Sequence, residues 1–455
     1  MKKPFYLLLF VSLAIAGCMA TREIPLTPNP EIYATGGQLD SLPVLPSDLS
    51  QIKYIHLPDS LISEDKDELP TQKLTTDLME SYDMVQLDAL PGFNIHSLFD
   101  IQADDDLLFV TYNVLPKDTA DRDVQYPRVH AIYTRKGKLV TQIGNPIQSV
   151  RKRGEGDKMT SAPYKEKDND TEYIYGSRIQ LNREKKEVYF NEMGHKQVYF
   201  DYQGNYKRTE YSQIVSYNML TTRNRKIGFH INHNVDNWIL WNRFYCTVMN
   251  QDGKPTGVAF KNDPLHIIPW INREGLVQVD DDIMLGFEKS DTIWQILPDK
   301  KVARYVRTGA LSVPEVVRND VQYVAKNEDH IIYVLHATAN SNYVLFYFVY
   351  SNRMYYMMYD ANTGHSIMWM SSWPDPNSTL VQCFLVLQHD YMLLSDGTLL
   401  GINQMSPLEW KKELSHWLDP ETEFPKRHDK REEEFIRSLK LDGGPVLFFV
   451  KLKKF

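Results

Sequence analysis

Apolar and polar positions alternate in short bursts along most of the chain. The stretch 275–307, GLVQVDDDIMLGFEKSDTIWQILPDKKVARYVR, shows the unit. Apolar runs rich in β-branched and aromatic residues lie at 276–279, 283–287, 292–297 and 302–306, each bounded by turn formers. Runs of that length and composition read as strands. The breaks DDD, KSD and PDK are too short for a crossover helix, so each strand turns back beside the last. The product is a four-stranded antiparallel meander, the unit of a β-propeller blade.

The same unit recurs. In the first blade QADDDLL at 102–108 matches QVDDDIM at 278–284, an internal repeat, and the third and fourth strands fall at 130–134 and 139–143. A polar insertion containing RKRGEGDK follows and reads as a solvated loop. A second blade has strands at 177–181, 187–191, 197–201 and 206–210. For the third, the expected strands are 227–232, 238–241, 244–250 and 256–260; the fourth is the opening stretch. A fifth spans 331–336, 344–350, 354–360 and 365–370. The sixth has 381–387, 391–395 and 398–403, and its ring closes by pairing 51–57 (QIKYIHL) with 445–452 (PVLFFVKL). Closure is expected because an open ring leaves sheet edges exposed. Six units is the count, with seven as the rival. RKGK, YQGN, QDGK and ANTG each join a third strand to a fourth, with Gly or Asn supplying the positive φ of a tight hairpin. Only 429–439 reads as a helix. The fold class is therefore all-β: a six-bladed propeller of four-stranded antiparallel blades closed by pairing of N- and C-terminal strands.

Composition narrows the class. At 455 residues the chain exceeds one ordinary core, which suits a closed repeat. A net charge of −8 argues against a nucleic-acid binder. Residues 1–17 read as an export signal: Lys2 and Lys3, then an apolar segment too short for a mature membrane span. Residues 18–50, proline-bearing and without period, read as a tether, and 51–455 as the propeller. Cys246 and Cys383 lie in apolar runs and read as buried small hydrophobes; a disulfide between them is allowed but not indicated by spacing.

Chemistry is sparse. The chain has no G-x-S-x-G, HExxH, P-loop or G-x-G-x-x-G, and no cofactor motif is present. His230 and His233, three apart on a strand or turn, fall on opposite faces and are a poor zinc pair. The aspartate triplets lack the spaced pattern of a calcium loop and fall where hairpin turns are needed. One pattern points to a site. The connection from second to third strand ends in a cation in five blades: Arg128, Lys196, Arg243, Lys289 and Arg353. Set around the mouth of a central funnel, they would focus potential on an anionic ligand. Arg178 and Arg273 would join them, and Trp270 and Trp373 could stack on a sugar or peptide. The competing reading is of ordinary basic residues that flank strands and protect edges.

Four segments carry a family likeness: LSQIKYIHL at 49–57, VHAIYTRKGKLVTQIG at 129–144, KSDTIWQILPDKKVARYVRTGALSVP at 289–314, and GPVLFFVKLK at 444–453. Together they resemble the six-bladed β-propeller lipoproteins of Gram-negative gut bacteria, loosely TolB-like or NHL-like. The chain departs from that pattern at Gly144-Asn145-Pro146-Ile147-Gln148, where the family has a G-x-GPGEY-like stretch. Ile15-Ala16-Gly17-Cys18 resembles a lipobox, which implies acylation of Cys18 and a membrane anchor at the outer membrane. A plain secretory signal is the other reading. Met19-Ala20-Thr21-Arg22-Glu23 lacks an acidic export cluster, which favours the periplasmic side over the cell surface. The expected function is a monomeric, non-enzymatic module that binds a ligand, an envelope protein or a glycan. A glycan-acting lyase or hydrolase is the alternative, as is an accessory subunit of an outer-membrane uptake complex.

Overall fold

The computed structural model describes residues 41–56, 72–73, 78–104, 106–116, 128–146, 151–153, 159–161, 173–174, 179–192, 196–212, 218–222, 224–229, 244–261, 276–279, 282–286, 292–308, 333–340, 342–350, 353–371, 379–387, 391–419, 421 and 429–455. Six four-stranded antiparallel meanders are present among them. Blade 1 is Phe93–Asp104, Leu107–Pro116, Arg128–Thr134 and Leu139–Ile143. Blade 2 is Ile179–Asn182, Glu187–Glu192, Lys196–Asp201 and Tyr206–Tyr211. Blade 3 is Asn218–Thr221, Lys226–Phe229, Phe244–Met249 and Pro255–Lys261. Blade 4 is Leu276–Val279, Asp282–Gly286, Thr292–Ile296 and Lys301–Thr308. Blade 5 is Tyr333–Ala339, Tyr343–Tyr350, Arg353–Asp360 and Ser366–Ser371. Blade 6 is Tyr391–Leu393, Leu399–Asn403, Val446–Leu452 and, from the other end of the chain, Met79–Gln86.

Each blade buries its apolar faces against its neighbours. Phe109, Ile132 and Ile143 of blade 1 share a core with Val188, Phe190 and Val198 of blade 2. Leu220, Ile227 and Val248 of blade 3 meet Ile296 of blade 4. Met284 and Tyr305 of blade 4 meet Phe346 and Met357 of blade 5. Leu345 and Tyr356 of blade 5 meet Tyr391 and Phe448 of blade 6. Leu400 and Leu447 of blade 6 meet Val110 and Ala131 of blade 1. Blades 2 and 3 are joined by a buried polar seam: Tyr189 Oη accepts from Thr221 N at 2.7 Å, and Asn191 donates to Met219 O at 2.8 Å. Alternation along every strand makes this stacking available, and shutting the circle removes the sheet faces from water. The turns match expectation: Gly137, Gly204, Gly253 and Gly364, all between third and fourth strands, have φ of 77 to 82°.

The closure differs from the expected strand pair. Val446–Leu452 pairs antiparallel with Met79–Gln86, not with the QIKYIHL strand. Lys53–His56 instead runs parallel to the outer strand of blade 4, in register with Tyr305–Thr308. It belongs to a strap that follows the rim. Val44 bridges to Val258 of blade 3, Ser47–Asp48 pairs with blade 4, and Gln72–Lys73 pairs with the outer strand of blade 5. The strap carries apolar plugs: Leu45 enters the core between blades 3 and 4, and Ile55 the core between blades 4 and 5. Asp48 is bonded to Lys300 at 2.8 Å. The end of the expected tether is thus bound to the propeller, because outer strands there need an edge partner.

Among the described residues three helices overlie the fifth and sixth blades: α1 (Leu380–Leu387), α2 (Pro407–Trp417) and α3 (Lys430–Ser438). The run 381–387, expected as a strand, is α1, so Cys383 is buried in a helix; Cys246 and Cys383 are both free thiols. A short continuous apolar run suits a buried helix as well as a buried strand. Helix α2 was not anticipated, although Ser406 and Glu409 form a capping box at its start. Buried Glu432 of α3 accepts hydrogen bonds from Thr379 Oγ1, Tyr82 Oη and Val381 N, so it caps α1 and ties both helices to the closing strand. In blade 3 the expected first strand is the second, Lys226–Phe229, preceded by Asn218–Thr221. The expected strand at 238–241 lies outside the described residues.

Candidate functional site

Of the cations expected around the funnel, Arg128, Lys196 and Arg353 are the first residues of third strands, in blades 1, 2 and 5. They therefore stand on the side of the ring where second strands end. Arg243, Lys289, Arg178, Arg273, Trp270, Trp373 and Cys18 lie outside the described residues. The structure brings Arg128 and Lys196 to one place. Arg128 is two residues from His130, whose ring lies 4.5 Å from Phe190 of blade 2, so both face blade 2. Lys196 is two residues from Val198, which packs with Phe109 and Ile132 of blade 1, so it faces blade 1. The two half-buried cations thus lie on the facing walls of the interface between blades 1 and 2, at the same end of it.

Polar residues line that end in rows set by the strand register. Ser97, Asn113 and Arg128 are one row, and Asn113 donates to Ser97 Oγ at 2.9 Å. Asp100, Thr111 and His130 are the row below. Beneath them the interface is apolar, with Phe109, Ile132 and Phe190. Two bulges in the inner strand, at Ile95/Ser97 and Leu98/Asp100, set extra residues into the row, among them Phe99. The Arg128 guanidinium stacks on the Phe99 ring at 3.6 Å to the centroid. Gln404 of blade 6 fixes this part of the strand, accepting from Leu98 N at 2.9 Å and donating to Leu98 O at 3.0 Å.

His130 is the floor of the polar zone. It is 2% exposed, its Nδ1 is 2.9 Å from Thr111 Oγ1, and its Nε2 meets no hydrogen-bond partner. Burial, reinforced by the Arg128 charge, depresses its pKa to about 3, so the ring is neutral at physiological pH. A neutral imidazole with a vacant nitrogen can donate or accept according to tautomer. Among the described residues no three His, Cys, Asp or Glu side chains are grouped to hold a metal ion.

Sequence reasoning named the two cations but missed Ser97, Phe99, Asp100, Asn113, Thr111 and His130. The signal was present: Thr111 and Asn113, and Arg128 and His130, are polar at period two against apolar Val110, Tyr112, Val129 and Ala131. Other polar clusters join blades. Asp104, in the hairpin repeated between blades 1 and 4, accepts from Tyr202 Oη at 2.6 Å and Lys186 Nζ at 3.0 Å. Glu210 binds Arg208 and the buried Lys226; burial opposes its charge, but those hydrogen bonds hold its carboxyl below the usual range.

Comparison with known proteins agrees with the architecture. A family profile described as a 6-bladed beta-propeller matches residues 170–375. A putative exported protein from Bacteroides fragilis superimposes with a TM-score of 0.56 at 11% identity, covering 89% of this chain and 100% of that one. BamB from Moraxella catarrhalis gives a TM-score of 0.29 at 11% identity, over 71% of this chain and 74% of that one. The propeller domain of the Trilobed protease from Pyrococcus furiosus gives 0.31 at 9% identity, over 68% and 92%. No characterised protein matches the chain in sequence. The chain is similar in sequence, across its middle, to six-bladed β-propellers, and its fold is an all-β propeller of four-stranded antiparallel blades.

Proposed function

We propose that the protein is a non-enzymatic binding module of the cell envelope, which takes an anionic or glycan ligand on the face where third strands begin. The observation that carries this is the placing of Arg128 and Lys196 on facing walls of one blade interface, at the same end of it, beside the buried His130. Arg353 opens its blade's third strand as they do, and Arg243 and Lys289 extend the set in sequence. Low-dielectric walls strengthen the pull of such cations on a ligand's acceptors.

An envelope location rests on the export signal at 1–17, the lipobox-like Cys18, and the likeness in fold to a putative exported protein. No helix among the described residues is long and apolar enough to cross a membrane. The strap places the start of the described chain on the rim at blade 3, from which a lipidated tether would hang the ring. Two experiments test the proposal. Cys18→Ala should move the protein from the membrane to the soluble fraction of cells. Arg128→Ala with Lys196→Ala should weaken, by calorimetry, any glycan or anion the wild type binds, and Arg243→Ala with Arg353→Ala should do so if the ring acts as a whole. Unchanged affinity in both pairs refutes the site.

A further inference from the structure

The strap that binds the rim has an outward face of its own. On the reading that Cys18 is acylated, we infer that this face, along the rim of blades 3 and 4, rests on the lipid surface and holds the ring edge-on to the bilayer.

Among the described residues six large hydrophobic side chains are exposed, and three of them lie on the strap: Val44 at 54%, Leu49 at 60% and Tyr54 at 64%. The others are dispersed, with Val140 on the outer strand of blade 1, Leu408 on α2 and Leu441 just after α3. Single exposed apolar residues are ordinary; three along one short arc of rim make a patch that asks for a partner. The register explains why they are outside. Leu45 and Ile55 fill the cores on either side of blade 4. Val44 and Tyr54 each precede one of these plugs, so strand alternation turns them away from the core that the plug fills. The backbone beneath them is held: Val44 bridges to Val258, and Tyr54 is in register with Val306. Contact with a surface therefore orders no further backbone there.

Charge on the same arc favours an anionic surface. Of the charged side chains described on the strap, and on the turn and outer strand of blade 4 beside it, Lys53, Lys300, Lys301 and Arg304 are cations and Asp48 and Asp299 are anions. The excess is positive in a chain of net charge −8. Lys53 donates to Ala361 O at 2.6 Å and Lys300 to Asp48 at 2.8 Å, bonds that fix these cations and leave the excess standing. Basic residues beside aliphatic ones and a tyrosine suit the headgroup level of a bilayer.

The place where the described chain begins points the same way. Residues 19–40 separate Cys18 from Ser41, a reach of at most about 80 Å. Leu42 already packs on blade 3, against Met219, Phe244, Met249 and Val258. Acylation would thus confine this arc near the lipid before any other part of the ring, and confinement lets contacts act that are too weak to bind free protein. Rim contact lays the ring axis along the membrane plane. It leaves both faces open to water, including the face where third strands begin.

The full-length protein should be reconstituted into vesicles of phosphatidylethanolamine and phosphatidylglycerol at about 3:1. An environment-sensitive fluorophore is coupled to Leu49→Cys, Tyr54→Cys, Val140→Cys or Leu441→Cys; Cys246 and Cys383 are buried and do not compete. Quenching by nitroxide lipids should be at least about 3-fold stronger at the first two positions than at the last two, since an interfacial patch sits within the headgroup and acyl boundary. Adding Val44→Ser and Tyr54→Ser should weaken quenching at Leu49→Cys about 2-fold or more. All the replaced side chains are exposed, and the thermal unfolding of each variant is compared with wild type. Vesicle-bound protein with equal quenching at the four positions, or stronger quenching at Val140→Cys or Leu441→Cys, overturns the inference and leaves the anchor standing. Shielding of Leu49→Cys and Tyr54→Cys from aqueous iodide without lipid, rising with protein concentration, assigns the arc to a second copy and overturns it too. Protein that does not float with the vesicles overturns the anchor, and the inference with it.

Discussion

The strap along the rim should carry a measurable share of the stability, and Ile55 is where to test it. Its side chain is 1% exposed and sits among Met284, Ile293, Tyr305, Phe346 and Tyr355, in the core that joins blades 4 and 5. Ile55→Ala removes three carbons. At about 0.8 kcal/mol for each, the transfer loss is about 2.4 kcal/mol. The cavity adds to this where neighbours cannot collapse, giving a total of about 2–5 kcal/mol. Collapse is restricted here, because the surrounding side chains are held by two sheets. Tyr54, the neighbouring residue, is 64% exposed and serves as the control; Tyr54→Ala should cost less than about 0.5 kcal/mol. Urea unfolding gives the magnitude, and hydrogen exchange gives the location. Amides of Tyr305–Thr308, the strand in register with Lys53–His56, should lose protection in Ile55→Ala before those of blade 1 do. A loss below about 1 kcal/mol, or equal loss of protection around the ring, would show that the strap lies on the propeller without stabilising it.

Two further outcomes follow from the closing seam. Burial holds the Glu432 carboxyl above its ordinary value of 4.5, against the hydrogen bonds from Thr379, Tyr82 and Val381. The folded state therefore keeps that proton to higher pH than the unfolded chain, so the group's contribution is full below 4.5 and is lost as pH rises through the folded value. Glu432→Gln should flatten the fall in stability as pH rises above 4.5, read as urea midpoints; a variant with the wild-type slope contradicts this. Gly137 and Gly92 both have φ +80°, but a Cβ at Gly137 would lie 2.2 Å from Gln86 O of the closing strand, while at Gly92 nothing lies within 4 Å. Gly92→Ala should cost about 1–2 kcal/mol for the left-handed backbone alone, and Gly137→Ala clearly more; the reverse order of melting temperatures refutes the close approach.

The chain's own letters determined the unit. Period-two alternation, runs of four to eight residues and turns with Gly at the positive-φ position are local properties, and they placed strands in all six blades. Where local signals were equal, they misled. VQCFLVL is apolar throughout and has no period to separate helix from strand; the capping box of Thr379 and Gln382 just before and within it starts α1, and Glu432, some fifty residues away, adds an acceptor for Val381 N in the same turn. Likewise QIKYIHL alternates more cleanly than MESYDMVQ, yet the latter closes the ring. A strand's pattern states which face is buried, but not which edge will receive it. That depends on where the circle runs out of partners, and here the rim strands of blades 3 to 5 took the earlier segment.

The candidate site divides in the same way. Arg128 and Lys196 were legible as cations before third strands. That they share one blade interface was not, because facing walls come from different blades and the parity of each strand decides which neighbour a side chain meets. Sequence fixes that parity only relative to its own strand; packing Phe190 against His130 sets it relative to the next. Short-range sterics, capping and hydrophobic period thus specify the blade and the helix starts, while stacking and closure, which act over hundreds of residues, decide the strap, where the helices pack and which polar residues share a blade interface.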